Sequence, residues 1–134
     1  MAITLQELTN TDAEFYPTLG PFLANPAVHK AIGGVPWDEP TKTWIVAERD
    51  GQAAGFIAMN SKKRALLESV YAAGDDPQIL ARLLQAAVDR FGHDRDLHAT
   101  VRHQIAEHFT GHGFAAVKEM TNFVTLVRRA DVRR

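Results

Sequence analysis

Apolar and polar residues change their spacing repeatedly along this chain, and each change predicts a different element. "ITLQEL" (3–8) alternates, as a half-buried strand requires. "TDAE" (11–14) has capping-box spacing and predicts a helix start, after which Phe15, Leu19, Phe22 and Leu23 line one helical face. Asn25-Pro26 predicts a second helix, since the asparagine side chain can accept an orphan amide and proline lacks the N–H that a first turn leaves unpaired. Gly33-Gly34 ends it. "GGVPWDEPTK" then breaks every period and predicts a surface loop carrying Trp37.

In "TWIVAERDGQAAGFIAMN" two apolar runs flank Asp50-Gly51, the pair favoured where both turn residues need positive φ, so a hairpin is expected. "SKKR" is a polar connector to the strand "ALLESVYAA". Beyond it Asp76 can cap a helix with Pro77 in first position, and Ile79, Leu80, Leu83, Leu84, Ala87, Val88 and Phe91 recur at helical spacing. "GHDRD" predicts a turn and "LHATV" a strand. "HQIAEHFTGHGF" predicts a short helix that turns Ile105, Ala106 and Phe109 inward before Gly111 and Gly113 stop it. The tail "AAVKEMTNFVTLVRR" predicts two strands around Met120-Thr121-Asn122, with one long bent strand as the alternative. The sum is a mixed α/β plan rather than a regular βαβ alternation, with no internal repeat.

Composition fits this plan. The 134 residues are 46% apolar and 23% charged, which predicts one folded domain (1–134), long enough to bury a hydrophobic core. Net charge is −1, so a broad cationic surface is not expected. The one basic cluster, "VRRADVRR" with Arg128, Arg129, Arg133 and Arg134, reads first as a solvated terminus, with nucleic acid or an acidic membrane as the alternative. Cysteine is absent, which excludes disulfides and thiol nucleophiles and is compatible with a cytoplasmic location. No apolar run approaches the ~18 residues of a membrane span, and the first residues lack the blocks of a signal peptide, so neither membrane association nor export is expected.

Two families of chemistry lose their support at this point. His98, His103, His108 and His112 invite a metal reading, but His108 and His112 straddle the helix stop at Gly111 and no carboxylate or thiol completes a set, so no metal is expected. Ser61 and Ser69 lack the Gly-x-Ser-x-Gly elbow of a serine hydrolase.

The element order, the hairpin "WIVAERDGQAAGFIAM" and the helix "IAEHFTGHGF" ending at Gly113-Phe114 together resemble the GNAT-type N-acetyltransferases, a family of acyl-CoA N-acyltransferases. The resemblance implies an α/β (α+β) fold with a mixed, mostly antiparallel central sheet flanked by helices on both faces. It implies acetyl-CoA as co-substrate, lying beside the strand that ends near Tyr71, with backbone groups of Val70, Tyr71, Ala72 and Ala73 on the pantetheine and acetyl carbonyl. The family's diphosphate loop, Arg/Gln-x-x-Gly-x-Gly/Ala, falls on "DDPQIL" and makes Gln78, Ile79, Leu80, Ala81 and Arg82 cofactor-binding candidates; Asp75, Gln78 and Leu80 depart from its pattern.

The acids there matter energetically. A carboxylate about 4 Å from a phosphate repels it by up to roughly 4 kcal/mol at an effective dielectric near 20. A helix N-terminus returns only about 0.3 to 2 kcal/mol to an anion. Asp76-Pro77 therefore reads either as a plain helix start or as a modified cofactor loop whose compensating charge comes from Arg82 or from Lys62-Lys63-Arg64.

Acetyl transfer to an amine needs a base, a polarised carbonyl and a fate for the thiolate. Glu68 and His103 are the candidate bases. The tyrosine that the family often uses as acid falls on Phe109, which leaves Tyr71 as the candidate, and a thiol of pKa about 8.5 leaves tolerably without full protonation. Trp37 and Asp38, with Glu39 beside them, are candidates for an acceptor pocket whose acids favour a cationic primary amine on a small molecule or protein. A homodimer stays open. The rival readings are a non-catalytic binding module of the same fold and a GNAT-like enzyme modifying nucleic acid.

Overall fold

The computed structural model describes residues 3–131; Arg133 and Arg134 of the basic tail lie outside the described residues. Strands β1 (Ile3–Leu8), β2 (Lys42–Arg49), β3 (Gln52–Asn60), β4 (Ala65–Ala72), β5 (Leu97–Arg102), β6 (Ala115–Glu119) and β7 (Phe123–Arg128) alternate with helices α1 (Phe15–Leu23), α2 (Pro26–Ile32), α3 (Pro77–Phe91) and α4 (His103–Thr110). They build a seven-stranded sheet of order β1-β2-β3-β4-β5-β7-β6. Every neighbouring pair is antiparallel except β4 and β5. This is the mixed α/β plan that the residue pattern predicts, with the mostly antiparallel sheet that the family resemblance implies.

Alternation along the strands sends side chains to two cores. On one face Ile45, Ala47, Ile57, Met59, Leu67, Leu97, Ala99 and Leu126 meet α3 and α4. The seven apolar residues named for α3 are all buried there. At roughly 1.5 to 3 kcal/mol per fully buried large side chain, this stripe anchors the helix. On the other face Trp44, Val46, Phe56 and Ala58 are covered by Phe15, Leu19 and Val28 of α1 and α2.

Local signals act as read at three points. Asn25 accepts the Ala27 N–H with Pro26 behind it, Asp76 accepts the Gln78 and Ile79 N–H groups with Pro77 behind it, and Asp50 and Gly51 turn the β2–β3 hairpin at positive φ. The tail forms two strands rather than one bent strand, with Met120 N–H bonded to the Phe123 carbonyl across their turn. Thr11 to Glu14 does not form a capping box. Helix α1 begins at Phe15, and Glu14, its N-cap residue, makes no side-chain bond. Asp12 instead reaches back to the Thr9 N–H at 2.7 Å. Two frames of the same spacing overlap here, and the earlier one carries the bond. No helix among the described residues is long and apolar enough to cross a membrane.

Candidate active site

The parallel ladder between β4 and β5 holds Ala65↔Leu97, Leu66↔His98 and Leu67↔Ala99, and stops there. Its end coincides with a distortion of β4. Ser69 has φ +56°, and the register with β3 passes from Ala58↔Glu68 to Phe56↔Tyr71, so Ser69 and Val70 both stand opposite Ile57. Such a bulge bends and twists its strand. It also resets the alternation: Ala65 and Leu67 face α3 before it, Val70 and Ala72 after it. A left-handed conformation costs a non-glycine residue about 1 to 2 kcal/mol. Strain of this kind persists where surrounding structure fixes it, and it concentrates at working sites. Ser69→Val should therefore lower stability by about 1 to 2 kcal/mol, whereas Ser69→Gly should be tolerated, since only the first adds a β-branched side chain at positive φ. Urea midpoints check this, and equal midpoints for the two variants would refute the bulge.

Past the bulge β4 and β5 diverge, leaving a slot of about 20 Å³ lined by Ile32, Ser69, Val70, Thr100, Val101, Arg102 and Ile105. It opens beside a wider cleft of about 250 Å³ where the end of α2, Val35, Ser69, Thr100 and Phe123 meet. Gly33 makes this closeness possible. Its φ is +83°, and a Cβ placed on it would stand 2.8 Å from Phe123 Cζ.

At the far end of the slot the chain leaves β4 through the turn Ala73–Asp75 and enters α3. Asp76 accepts the Gln78 N–H at 2.9 Å and the Ile79 N–H at 3.4 Å, and its carboxylate also takes the Arg49 guanidinium. The hydrogen bond from Arg49, then the two amides, hold the Asp76 carboxyl below the usual carboxylate range. Asp75 takes Arg102 Nη2 at 3.2 Å. The charge that balances the two acids thus comes from Arg49 and Arg102, and not from the positions proposed on sequence. Lys62, Lys63 and Arg64 lie at the β3–β4 connection, the opposite end of β4, and Arg82 is exposed on α3. The Nε atoms of Arg49 and Arg102 are buried without a partner.

The other cofactor candidates divide by face. Val70 and Ala72 are buried toward α3, and Ile79 and Leu80 of α3 lie in the same core; Ala81 is half-buried, while Ala73 and Gln78 are exposed. Tyr71 turns to the opposite face, its ring centroid 5.5 Å from Phe56 and 5.8 Å from Phe22.

Glu68 lies one residue before the bulge, on the face of α1 and α2. Its Oε1 takes Lys42 Nζ at 3.0 Å and Asn60 Nδ2 at 3.2 Å. Lys42 is only 3% exposed, donates also to the Trp37 carbonyl, and stands 5.3 Å from the Trp44 ring. Sequence reading missed this lysine. The available signal was parity, since Lys42 shares the inward face of Trp44 two residues on.

His103 Nε2 donates to the Met120 carbonyl at 2.8 Å, which orients the ring and ties the start of α4 to the β6–β7 turn. Phe109 is buried against Phe114, with ring centroids 5.2 Å apart. Trp37 is 67% exposed and borders a second cleft of about 320 Å³ with Tyr16, Leu23, Val35 and Asp38. Tyr16 donates its hydroxyl to Asp38, which holds the phenol above its ordinary range. Val35 lines both clefts and so makes them neighbours.

Several histidines and arginines outside this region have internal partners. His112 Nδ1 donates to the His108 carbonyl, and among the described residues no group of three or more His, Asp or Glu side chains is arranged to hold a metal. Arg128 bonds the Gly92 and His112 carbonyls and Asp131, and Arg129 bonds Asp96.

No family model matches the sequence, and no curated protein matches it. Solved structures do match in shape. Escherichia coli ElaA aligns over 96% of this chain and 100% of its own at TM-score 0.68 and 12% identity. A Streptococcus pneumoniae acetyltransferase of the GNAT family aligns over 94% of this chain and 97% of its own at TM-score 0.67 and 14% identity. The Campylobacter jejuni N-acetyltransferase PseH, solved in complex with acetyl coenzyme A, aligns over 96% of this chain and 99% of its own at TM-score 0.58 and 14% identity. The fold is that of the GNAT-type N-acetyltransferases.

Proposed function

We propose that this protein is an N-acyltransferase that moves an acetyl group from acetyl-CoA to a primary amine. The observation that carries the reading is the interrupted β4–β5 ladder. A parallel pair inside a sheet ordinarily bonds along its length, because unpaired buried backbone groups are costly. Here the ladder ends at Leu67↔Ala99 although both strands continue, so beyond that point β4 borders a slot with backbone that β5 does not pair. An extended arm bearing amides, such as pantetheine, satisfies groups of this kind as an added strand would. When bound, the thioester supplies an acyl carbonyl open to attack and a thiolate that can leave.

The remaining roles fall to side chains already placed. Backbone groups of Val70, Tyr71, Ala72 and Ala73 hold the arm, and an N–H at Val70 or Tyr71 polarises the carbonyl. Glu68, fixed by Lys42 and Asn60 next to the bulge, takes the proton of the incoming amine, directly or through a water. Tyr71 is the hydroxyl assigned to the leaving thiolate, and His103 positions the β6–β7 turn beside Phe123. The acceptor enters by the cleft of Trp37 and Asp38, where an indole face and a carboxylate suit an ammonium group.

Acetyl-CoA at about one hundred times its Kd should stabilise the native protein by about 2.7 kcal/mol, a shift of several degrees in melting temperature. Thiol release should then depend on an added amine. A melting temperature that does not move at millimolar acetyl-CoA would leave the fold as a binding module without this chemistry.

A further inference from the structure

The slot between β4 and β5 is scarcely larger than one water molecule, about 20 Å³, and a salt bridge ties its far end. Arg102, the last residue of β5, reaches Asp75, three residues beyond the end of β4. Where the backbones have parted, this side-chain pair draws them together. Two further observations mark it as a contact made to be exchanged. Asp75 is 57% exposed and held at φ +51° in a turn whose preceding residue, Gly74, is also at positive φ, so water competes readily for its carboxylate. Arg102 is only 22% exposed, yet its Nε has no partner and one Nη bonds Asp75 at 3.2 Å. A guanidinium presents a fork of donors suited to two oxygens at once, and this fork is only partly used.

We propose that Asp75 and Arg102 form a latch on the slot, closed in the free protein and exchanged on donor entry for a bridge between Arg102 and the diphosphate of the donor, with Asp75 released to water. The proposal rests on the acyl-CoA reading above. It makes Asp75 a competitor of the ligand, so that removing its charge improves binding. It also explains how an acidic turn can stand where a phosphate must pass: the acid occupies the cation until the phosphate takes it.

The test is calorimetric titration of CoA, and of pantetheine, which lacks the diphosphate, into the wild-type protein and into Asp75→Asn, Arg102→Ala and Arg102→Lys. Unliganded melting temperatures verify that each variant is folded. Asp75→Asn should tighten CoA about 2- to 5-fold, the range of a partly exposed ion pair. Arg102→Ala should weaken CoA about 10-fold or more while changing pantetheine less than about 2-fold, and Arg102→Lys should recover part of the loss. CoA affinity that is unchanged or weaker in Asp75→Asn, or an Arg102→Ala loss equal for CoA and pantetheine, overturns the latch alone. Binding of neither compound to the wild-type protein or to Asp75→Asn overturns the acyl-CoA reading and the latch with it.

Discussion

Replacing Gly55 by valine is expected to lower unfolding free energy by about 3 kcal/mol or more, and by alanine by about 1 to 3 kcal/mol. A Cβ at this position would stand 2.6 Å from the Tyr71 carbonyl oxygen, 2.7 Å from Ile79 Cγ2 and 3.2 Å from Ala72 Cα. Two of the three are backbone atoms of β4, which pairs with β3 at Gly55↔Ala72 and cannot retreat without breaking that ladder. The third belongs to the first turn of α3, whose neighbours Leu80, Leu83 and Leu84 lie in the core. The strain can be relieved only by lifting the start of α3 or prising β4 from β3, and both movements disturb the turn that carries Asp75 and Asp76. Urea unfolding measures the loss, and donor affinity should fall with it. A valine variant with the wild-type midpoint would mean that α3 does not cross β3 at this point.

The second large effect is on turnover. Glu68→Gln should reduce the rate at saturating donor by about 100-fold or more, the usual worth of a positioned base. Donor affinity should stay unchanged, since no slot-lining residue is altered. Glutamine keeps an oxygen for Lys42 and Asn60, so the fold should hold. Lys42→Met is the complementary experiment. It removes the cation 3.0 Å from Glu68 and the donor to the Trp37 carbonyl. Breaking a buried pair costs about 3 to 5 kcal/mol, and with Glu68 29% exposed about 2 to 3 kcal/mol is expected here. A Glu68→Gln protein with full turnover would remove Glu68 as the base.

What sequence reading could see divides along a physical line. The α3 stripe, the Asn25-Pro26 and Asp76-Pro77 starts and the Asp50-Gly51 turn depend on residues within a turn or two of one another, and all appear in the structure. The bulge at Ser69 was hidden because "ALLESVYA" offers apolar residues at both odd and even positions, so the change of parity leaves no gap in the pattern. Arg49 and Arg102 were not anticipated as partners of the two aspartates because each pair joins residues 27 apart in sequence, brought together only when β2 and β5 take their places in the sheet. The capping box failed for a different reason: Thr9 to Asp12 and Thr11 to Glu14 are equivalent on paper, and only the direction in which β1 delivers the chain chooses between them.

The lone parallel pairing carries a consequence for how the molecule is assembled. Residues 3–72 supply four strands that are neighbours in chain order, and residues 97–128 supply the other three. Each group closes by antiparallel contacts of its own, whereas the two groups meet along a seam three residue pairs long that forms only after α3 has crossed over the sheet. The protein is in effect two sheets sewn together by a few stitches, and the opening proposed for the donor arm is the part of that seam left unsewn.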